Sequence, residues 1–232
     1  MTLQIRDVDT FYGTSHILHG VSLEMDAGDL FAVLGRNGAG KTTLLRSITG
    51  VNPPRRGSIH LDGVDITRLK SHLRARLGIG YVPQGRDIIP DISVAENIYL
   101  ALLGVGQKAR RVPDVVFDYF PALRPLLNQK GGTLSGGQQQ QLAIARALVQ
   151  EPKLLLMDEP TEGLQPSVVD EIDAIIKRIP ERNNCTVLLI EQNLDFVRAL
   201  AQKFAILDTG RIVVQGDIGE LTEYVVRQHL QV

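Results

Sequence analysis

Leu30-Phe31-Ala32-Val33-Leu34-Gly35-Arg36-Asn37-Gly38-Ala39-Gly40-Lys41-Thr42-Thr43 is the stretch that decides how the rest of the chain is read. It opens with an unbroken apolar run, Leu30 to Leu34, the pattern of a strand covered on both faces. Gly35 to Thr42 then fit G-x-x-x-x-G-K-[ST], and a helical pattern ending near Gly50 follows. Strand, glycine-rich turn and helix in that order make a phosphate loop. Its glycines let consecutive backbone N–H groups turn inward around phosphate oxygens, and the helix N-terminus adds the positive end of its dipole. Lys41 supplies a point charge to the β and γ phosphates, and Thr42 a hydroxyl to Mg²⁺.

Working outward, further apolar segments read as strands: Ile79 to Val82, Leu154 to Met157, Val187 to Ile190 and Phe204 to Leu207. They alternate with segments that read as helices, which predicts an α/β chain with a largely parallel central sheet. The first sixty or so residues differ. Leu3 to Val8 and Val21 to Met25 alternate, and Gly57 to Leu61 runs into the turn Asp62-Gly63, predicting a smaller antiparallel sheet. Between Pro90 and Gln150 the strand signal vanishes, and helical patterns occupy Val94 to Leu103 and Gln138 to Val149. This reads as a helical insertion into the α/β core.

Composition narrows the function classes. The 232 residues are 44% hydrophobic, enough for a sizeable core. A net charge of -1 lacks the broad basic footprint of a protein that lives on nucleic acid or anionic lipid. Cys185 is alone, so no intrachain disulfide forms, and the usage fits a reducing compartment. Apolar runs such as Leu154 to Met157 are far shorter than the roughly 18 to 20 residues that cross a bilayer. Met1 to Asp7 lack the basic and apolar regions of a signal peptide. His16, His19, His60, His72 and His229 show no H-E-x-x-H or Cys/His spacing, so no zinc site is expected.

Two more constellations carry chemistry. The apolar run Leu154 to Met157 ends in Asp158-Glu159, at the strand edge where open α/β sheets bind ligands. One carboxylate can hold a metal shell while the next polarises a water. Leu134-Ser135-Gly136-Gly137-Gln138 contains an S-x-x-Q capping box. Capping accounts for Ser135 and Gln138 but not for two glycines in the first helical turn, where they cost stability relative to alanine. Bare N–H groups at a helix start suit a closely approaching anion, which makes this tip a second phosphate-binding surface.

The phosphate loop, Gln84 after a strand, Leu134 to Gln138, the Asp158-Glu159 strand end and the upstream Tyr12 occur in the order found in ATP-binding cassette (ABC) proteins, and the resemblance spans essentially the whole chain. It implies an α/β P-loop NTPase core over 1–89 and 151–232. An N-terminal antiparallel β subdomain and an inserted α-helical subdomain over 90–150 complete a single ABC ATPase domain, 1–232. In that family two cassettes meet head to tail around two ATP molecules. By resemblance Tyr12 stacks on adenine, and Gly35, Arg36, Asn37, Gly38, Ala39, Gly40, Lys41, Thr42, Thr43 and Gln84 bind nucleotide. Thr42, Gln84 and Asp158 hold Mg²⁺, Glu159 is the general base, and Gln192 completes the catalytic pair. Ser135, Gly136, Gly137 and Gln138 touch the ATP held by the partner cassette.

Two departures from the family pattern stand out. Gln192 occupies the place of a common histidine after the fourth core strand; it donates a hydrogen bond to phosphate but carries no proton to exchange. Gln165 replaces an aspartate that commonly crosses the dimer interface. Both imply unequal ATP sites in an assembly with a different cassette, the site built on Lys41 and Glu159 being the slower. Tyr81-Val82-Pro83-Gln84-Gly85-Arg86 and Glu191-Gln192-Asn193 resemble the second ATPase of branched-chain amino acid uptake systems. Gln138 to Leu142, Pro160 to Ser167 and Val226 to Leu230 look closer to the urea-type branch.

The resemblance thus implies the ATP-hydrolysing subunit of an importer, with urea as solute and branched-chain amino acids as the alternative. It also implies a place on the cytoplasmic face of the cell membrane, bound to membrane-spanning permease subunits. A second ABC ATPase would pair with it as a heterodimer, or as a homodimer in isolation. An extracytoplasmic solute-binding protein would be an indirect partner, and no nucleic acid is implied. Gly85 to Ile92, with Ile88, Ile89 and Pro90, is the expected permease-docking segment. A cassette acting on DNA or ribosomes would need a coiled-coil insertion or a second cassette. A regulator without turnover is favoured by Gln192 and Gln165 and opposed by Glu159.

Overall fold

The computed structural model describes residues 2–107 and 111–230. Residues 1, 108–110 and 231–232, which the expected domain bounds take in, lie outside the described set. The N-terminal part forms β1 (Leu3–Tyr12), β2 (Ser15–Met25), β4 (Arg56–Leu61) and β5 (Val64–Asp65), joined antiparallel in the order β2-β1-β4-β5. The larger sheet contains β3 (Leu30–Leu34), β6 (Ile79–Val82), β7 (Leu154–Asp158), β8 (Thr186–Ile190), β9 (Lys203–Asp208) and β10 (Arg211–Asp217), in the order β10-β9-β3-β8-β7-β6. All its pairings are parallel except β9 with β10.

Every residue of β3, β7 and β8 is buried, as their apolar runs require. Alternate side chains serve two cores. Phe31 and Val33 join Leu44, Leu45 and Ile48 of α1 (Lys41–Thr49) and the inner face of the antiparallel sheet. Leu30, Ala32 and Leu34 face the helical side. That side is built by α3 (Val94–Gly104), α4 (Asp114–Tyr119), α5 (Gly136–Leu148), α6 (Pro166–Asn183), α7 (Leu194–Leu200) and α8 (Glu223–His229), while α2 (Ser71–Arg76) precedes β6. Buried Arg74 of α2 donates to the Ser47 and Ile48 carbonyls at the end of α1 and to those of Thr67 and Leu69, tying α1 in place.

The anticipated strands and the two long insertion helices are present, α5 starting two residues before the anticipated Gln138. β10 went unread because it is an edge strand with neither face fully covered, so its apolar signal is weak. Cys185 is buried, and burial pushes its thiol up to about 12. Among the described residues no helix is long and apolar enough to cross a membrane.

Parallel pairing has one consequence that matters for chemistry. The C-terminal ends of β3, β6, β7 and β8 lie along one edge of the sheet, and deliver Gly35, Pro83-Gln84, Asp158-Glu159 and Glu191-Gln192 to the same place.

Candidate functional site

Gly35 leaves β3 so close to β9 that an added Cβ would lie 2.3 Å from the Leu207 carbonyl oxygen, which no side chain tolerates. The loop then turns on itself, Ala39 N–H donating to the Arg36 carbonyl at 3.1 Å, and α1 starts at Lys41. The β9–β10 turn braces it from outside, Gly210 N–H donating to the Ala39 carbonyl at 2.9 Å. Lys41, 6% exposed, folds over the loop and donates to the Gly35 carbonyl at 2.8 Å and the Arg36 carbonyl at 3.2 Å. Its ammonium lies 3.6 Å from Glu159 Oε1.

Glu159 stands at the C-terminal end of β7 with φ +48°, a left-handed conformation that costs about 1 kcal/mol for a residue with a side chain. Its N–H is held by the Ile190 carbonyl at 2.9 Å. The Gln192 amide donates to its Oε1 at 2.6 Å and also to Asn37 Oδ1 at 3.0 Å, linking the strand end to the phosphate loop. The Gln84 amide reaches its Oε2 at 3.4 Å and Glu162 Oε2 at 2.9 Å.

Asp158 is 1% exposed and hydrogen-bonded to Thr42, and its Oδ2 has no hydrogen-bond partner among the described residues. Burial pushes its carboxyl above the usual carboxylate range and the Glu159 charge adds to this, while the Thr42 hydroxyl, Lys41 and Arg46 pull the other way. An orphaned buried carboxylate oxygen beside a threonine hydroxyl fits the oxygen donor set of a hard divalent cation.

These groups surround an open cleft of about 380 Å³ lined by Tyr12, Ile17, Asn37, Gly38, Gly40, Lys41, Thr42, Thr43, Gln84 and Glu159. Tyr12, 42% exposed, sits at its mouth and accepts a hydrogen bond from Arg46 at 3.2 Å. A buried bond between Thr10 Oγ1 and Ser47 Oγ, 2.8 Å, locks β1 to α1 and so aims Tyr12. The cleft thus unites residues predicted from four separate segments: Tyr12, the phosphate loop, Gln84 and the end of β7.

Ser135 to Gln138 do not line this cleft. They open α5 with a complete capping box: Ser135 Oγ accepts from Gln138 N–H at 3.3 Å, and Gln138 Oε1 accepts from Ser135 N–H at 3.0 Å. Packing supplies a reason for the glycines that capping did not. A Cβ on Gly137 would meet Val168 of α6 at 2.8 Å, and one on Gly136 would meet the Arg86 guanidinium at 3.2 Å. Arg86 also donates to Gln139 at 3.2 Å, connecting the segment after Gln84 to α5.

Of the expected docking segment, Ile89 is 37% exposed. Ile88 packs against the core and Ile89 is held by Asn97 through backbone bonds at 2.9 and 3.0 Å. Beside them a groove of about 630 Å³ is lined by Arg86 and Asp87 together with Ser71 of α2, Tyr81 of β6, Leu100 of α3 and Ala143 of α5. Sequence reasoning also passed over Glu162, Arg46 and above all Glu191, whose buried position no local pattern reveals.

A family model described as "ABC transporter" matches residues 18–162. The chain is 39% identical over 91% of its length to the high-affinity branched-chain amino acid transport ATP-binding protein BraG of Pseudomonas aeruginosa, of which it covers 91%. It is 37% identical over 92% of its length to a probable branched-chain amino acid transport ATP-binding protein, LivF, of Archaeoglobus fulgidus, of which it covers 91%. Among solved structures it is similar to a dimeric ATP-binding cassette in a post-hydrolysis state bound to ADP and Pi. That match has a TM-score of 0.83 and 26% identity, covering 93% of this chain and 98% of the other.

Proposed function

The chain belongs to the ABC transporter family, and on that premise we propose that it is the ATP-hydrolysing subunit of an amino-acid importer, branched-chain amino acids being the foremost solutes. It is an ATPase whose turnover is coupled to transport. The observation that carries the site reading is the convergence of the phosphate loop and Glu159 on one cleft, with Asp158 buried beside it against Thr42.

Residues 1–232 form one cassette in this reading, with the core at 1–89 and 151–232 and the helical subdomain at 90–150. Tyr12 stacks on adenine at the cleft mouth. The N–H groups of Gly35 to Thr43 and the Lys41 ammonium take the phosphates, Lys41 exchanging the Gly35 and Arg36 carbonyls for phosphate oxygens. Thr42, Asp158 and Gln84 hold Mg²⁺, which when bound neutralises charge developing on the β and γ phosphate oxygens. Glu159 takes the proton of the attacking water, and Gln192 orients Glu159 and donates to phosphate.

Ser135, Gly136, Gly137 and Gln138 face the ATP of a second cassette, a different chain in the favoured arrangement and a second copy in isolation. ATP drives closure of the pair because it binds the closed state more tightly. The permease subunits dock in the groove around Arg86 and Leu100, holding the chain on the cytoplasmic face of the membrane. A solute-binding protein acts through the permease.

Urea, the solute favoured by phrase-level resemblance, gives way to the alternative, because the two relatives above are named for branched-chain amino acids. The test is uptake of labelled leucine and of labelled urea by cells lacking this chain, before and after it is restored. Loss of leucine uptake with urea uptake intact is expected; the reverse would overturn the solute and leave the ATPase standing.

A further inference from the structure

Glu191 follows β8 and is 3% exposed. Its two carboxylate oxygens serve different segments. Oε1 accepts from the Thr161 N–H at 3.1 Å and from the Thr161 hydroxyl, just beyond Glu159. Oε2 accepts from the Gln192 N–H at 3.0 Å and the Asn193 N–H at 3.3 Å. A buried carboxylate destabilises a fold unless its lone pairs are used, and here the bonds join two segments of the sheet edge. One segment carries Glu159 and the other Gln192, whose side chains meet at 2.6 Å.

We infer that Glu191 is a positioning residue for hydrolysis, setting the Glu159–Gln192 pair by clamping both segments to one rigid group. The inference rests on the roles proposed above for Glu159 and Gln192. Glu191 does not line the cleft, so its action passes through its neighbours. Two acceptor oxygens are essential to this role. In glutamine one becomes an NH₂ facing N–H donors, so one segment must be released.

The experiment is steady-state ATPase of the assembled transporter at varied ATP, for Glu191→Gln, Gln192→Ala and the double variant. Glu191→Gln should lower kcat about tenfold while KM for ATP changes by under about twofold, since the Glu191 carboxylate itself makes no hydrogen bond to the phosphate loop. In the Gln192→Ala background the same substitution should cost under about threefold, because the clamp then has less to position. Equal losses in both backgrounds, or a raised KM with kcat intact, would overturn the inference. Should Glu191→Gln fail to fold, Thr161→Val removes one donor at constant shape and carries the test, with an expected loss of about threefold in kcat. Glu159→Gln run alongside separates the two claims. Full activity there overturns the site reading, whereas its loss with full activity in both Glu191→Gln and Thr161→Val overturns Glu191 alone.

Discussion

The phosphate-loop cleft and the tip of α5 are both helix starts rich in glycine, yet the chain treats them in opposite ways. At the cleft, Lys41, Glu159, Gln84 and the adjacent Gln192 are paired with one another, and Asp158 beside them keeps one buried oxygen without a partner among the described residues. At the α5 tip, Ser135 and Gln138 satisfy each other's backbone, and the glycines admit Val168 and Arg86. The first region holds unsatisfied chemistry that a ligand can complete. The second is a finished surface, closed within its own chain and absent from its own cleft.

That contrast can be broken by substitutions that strike one region only. Glu159→Gln should reduce kcat of the assembled transporter by about a thousandfold and leave Mg·ATP binding intact, because a general base is lost while the phosphate contacts remain. Comparison with the equivalent change in a partner cassette tests the unequal sites implied by Gln192 and Gln165; equal losses would end that idea.

Gly137→Val should come next, with about a hundredfold lower ATPase in the assembly. Its isolated-chain affinity for ATP, read by fluorescence titration, should stay within about twofold, since the tip lies outside the cleft. A parallel loss of ATP affinity would show that the two regions are not independent.

The smallest effect concerns stability. Asp158 has a raised pKa in the folded chain, so its carboxylate costs stability that is absent below the unfolded carboxylate pKa and appears as pH rises through the folded one. Asp158→Asn should therefore stabilise the nucleotide-free chain near pH 7, the gain vanishing in acid, while abolishing stabilisation by Mg·ATP. Thermal unfolding at several pH values, with and without Mg·ATP, measures both.

Much of the α/β core was readable because its strands are buried on both faces and announce themselves as apolar runs; β10, on the edge, does not. Asp158 and Glu159 were readable because a strand end and a phosphate loop constrain each other. Which side chains of the expected docking segment face outward was not legible, because apolar loop residues look alike in sequence: Ile88 packs against the core while its neighbour Ile89 is 37% exposed. Glu191 was legible only as a letter beside Gln192. What makes it matter is Thr161, thirty positions earlier in the chain.

Sequence alone determined the phosphate loop, the order of buried strands and the capping of α5, because each depends on residues close together in the chain. Tertiary structure decided which groups share a cleft and which stand apart. Parallel pairing of β3, β7 and β8 brings Lys41, Glu159 and Gln192 within reach, leaves one Asp158 oxygen without a partner among the described residues, and lets Glu191 grip two segments at once. Such contacts join residues far apart in sequence, and only burial makes a lone carboxylate oxygen costly enough to matter.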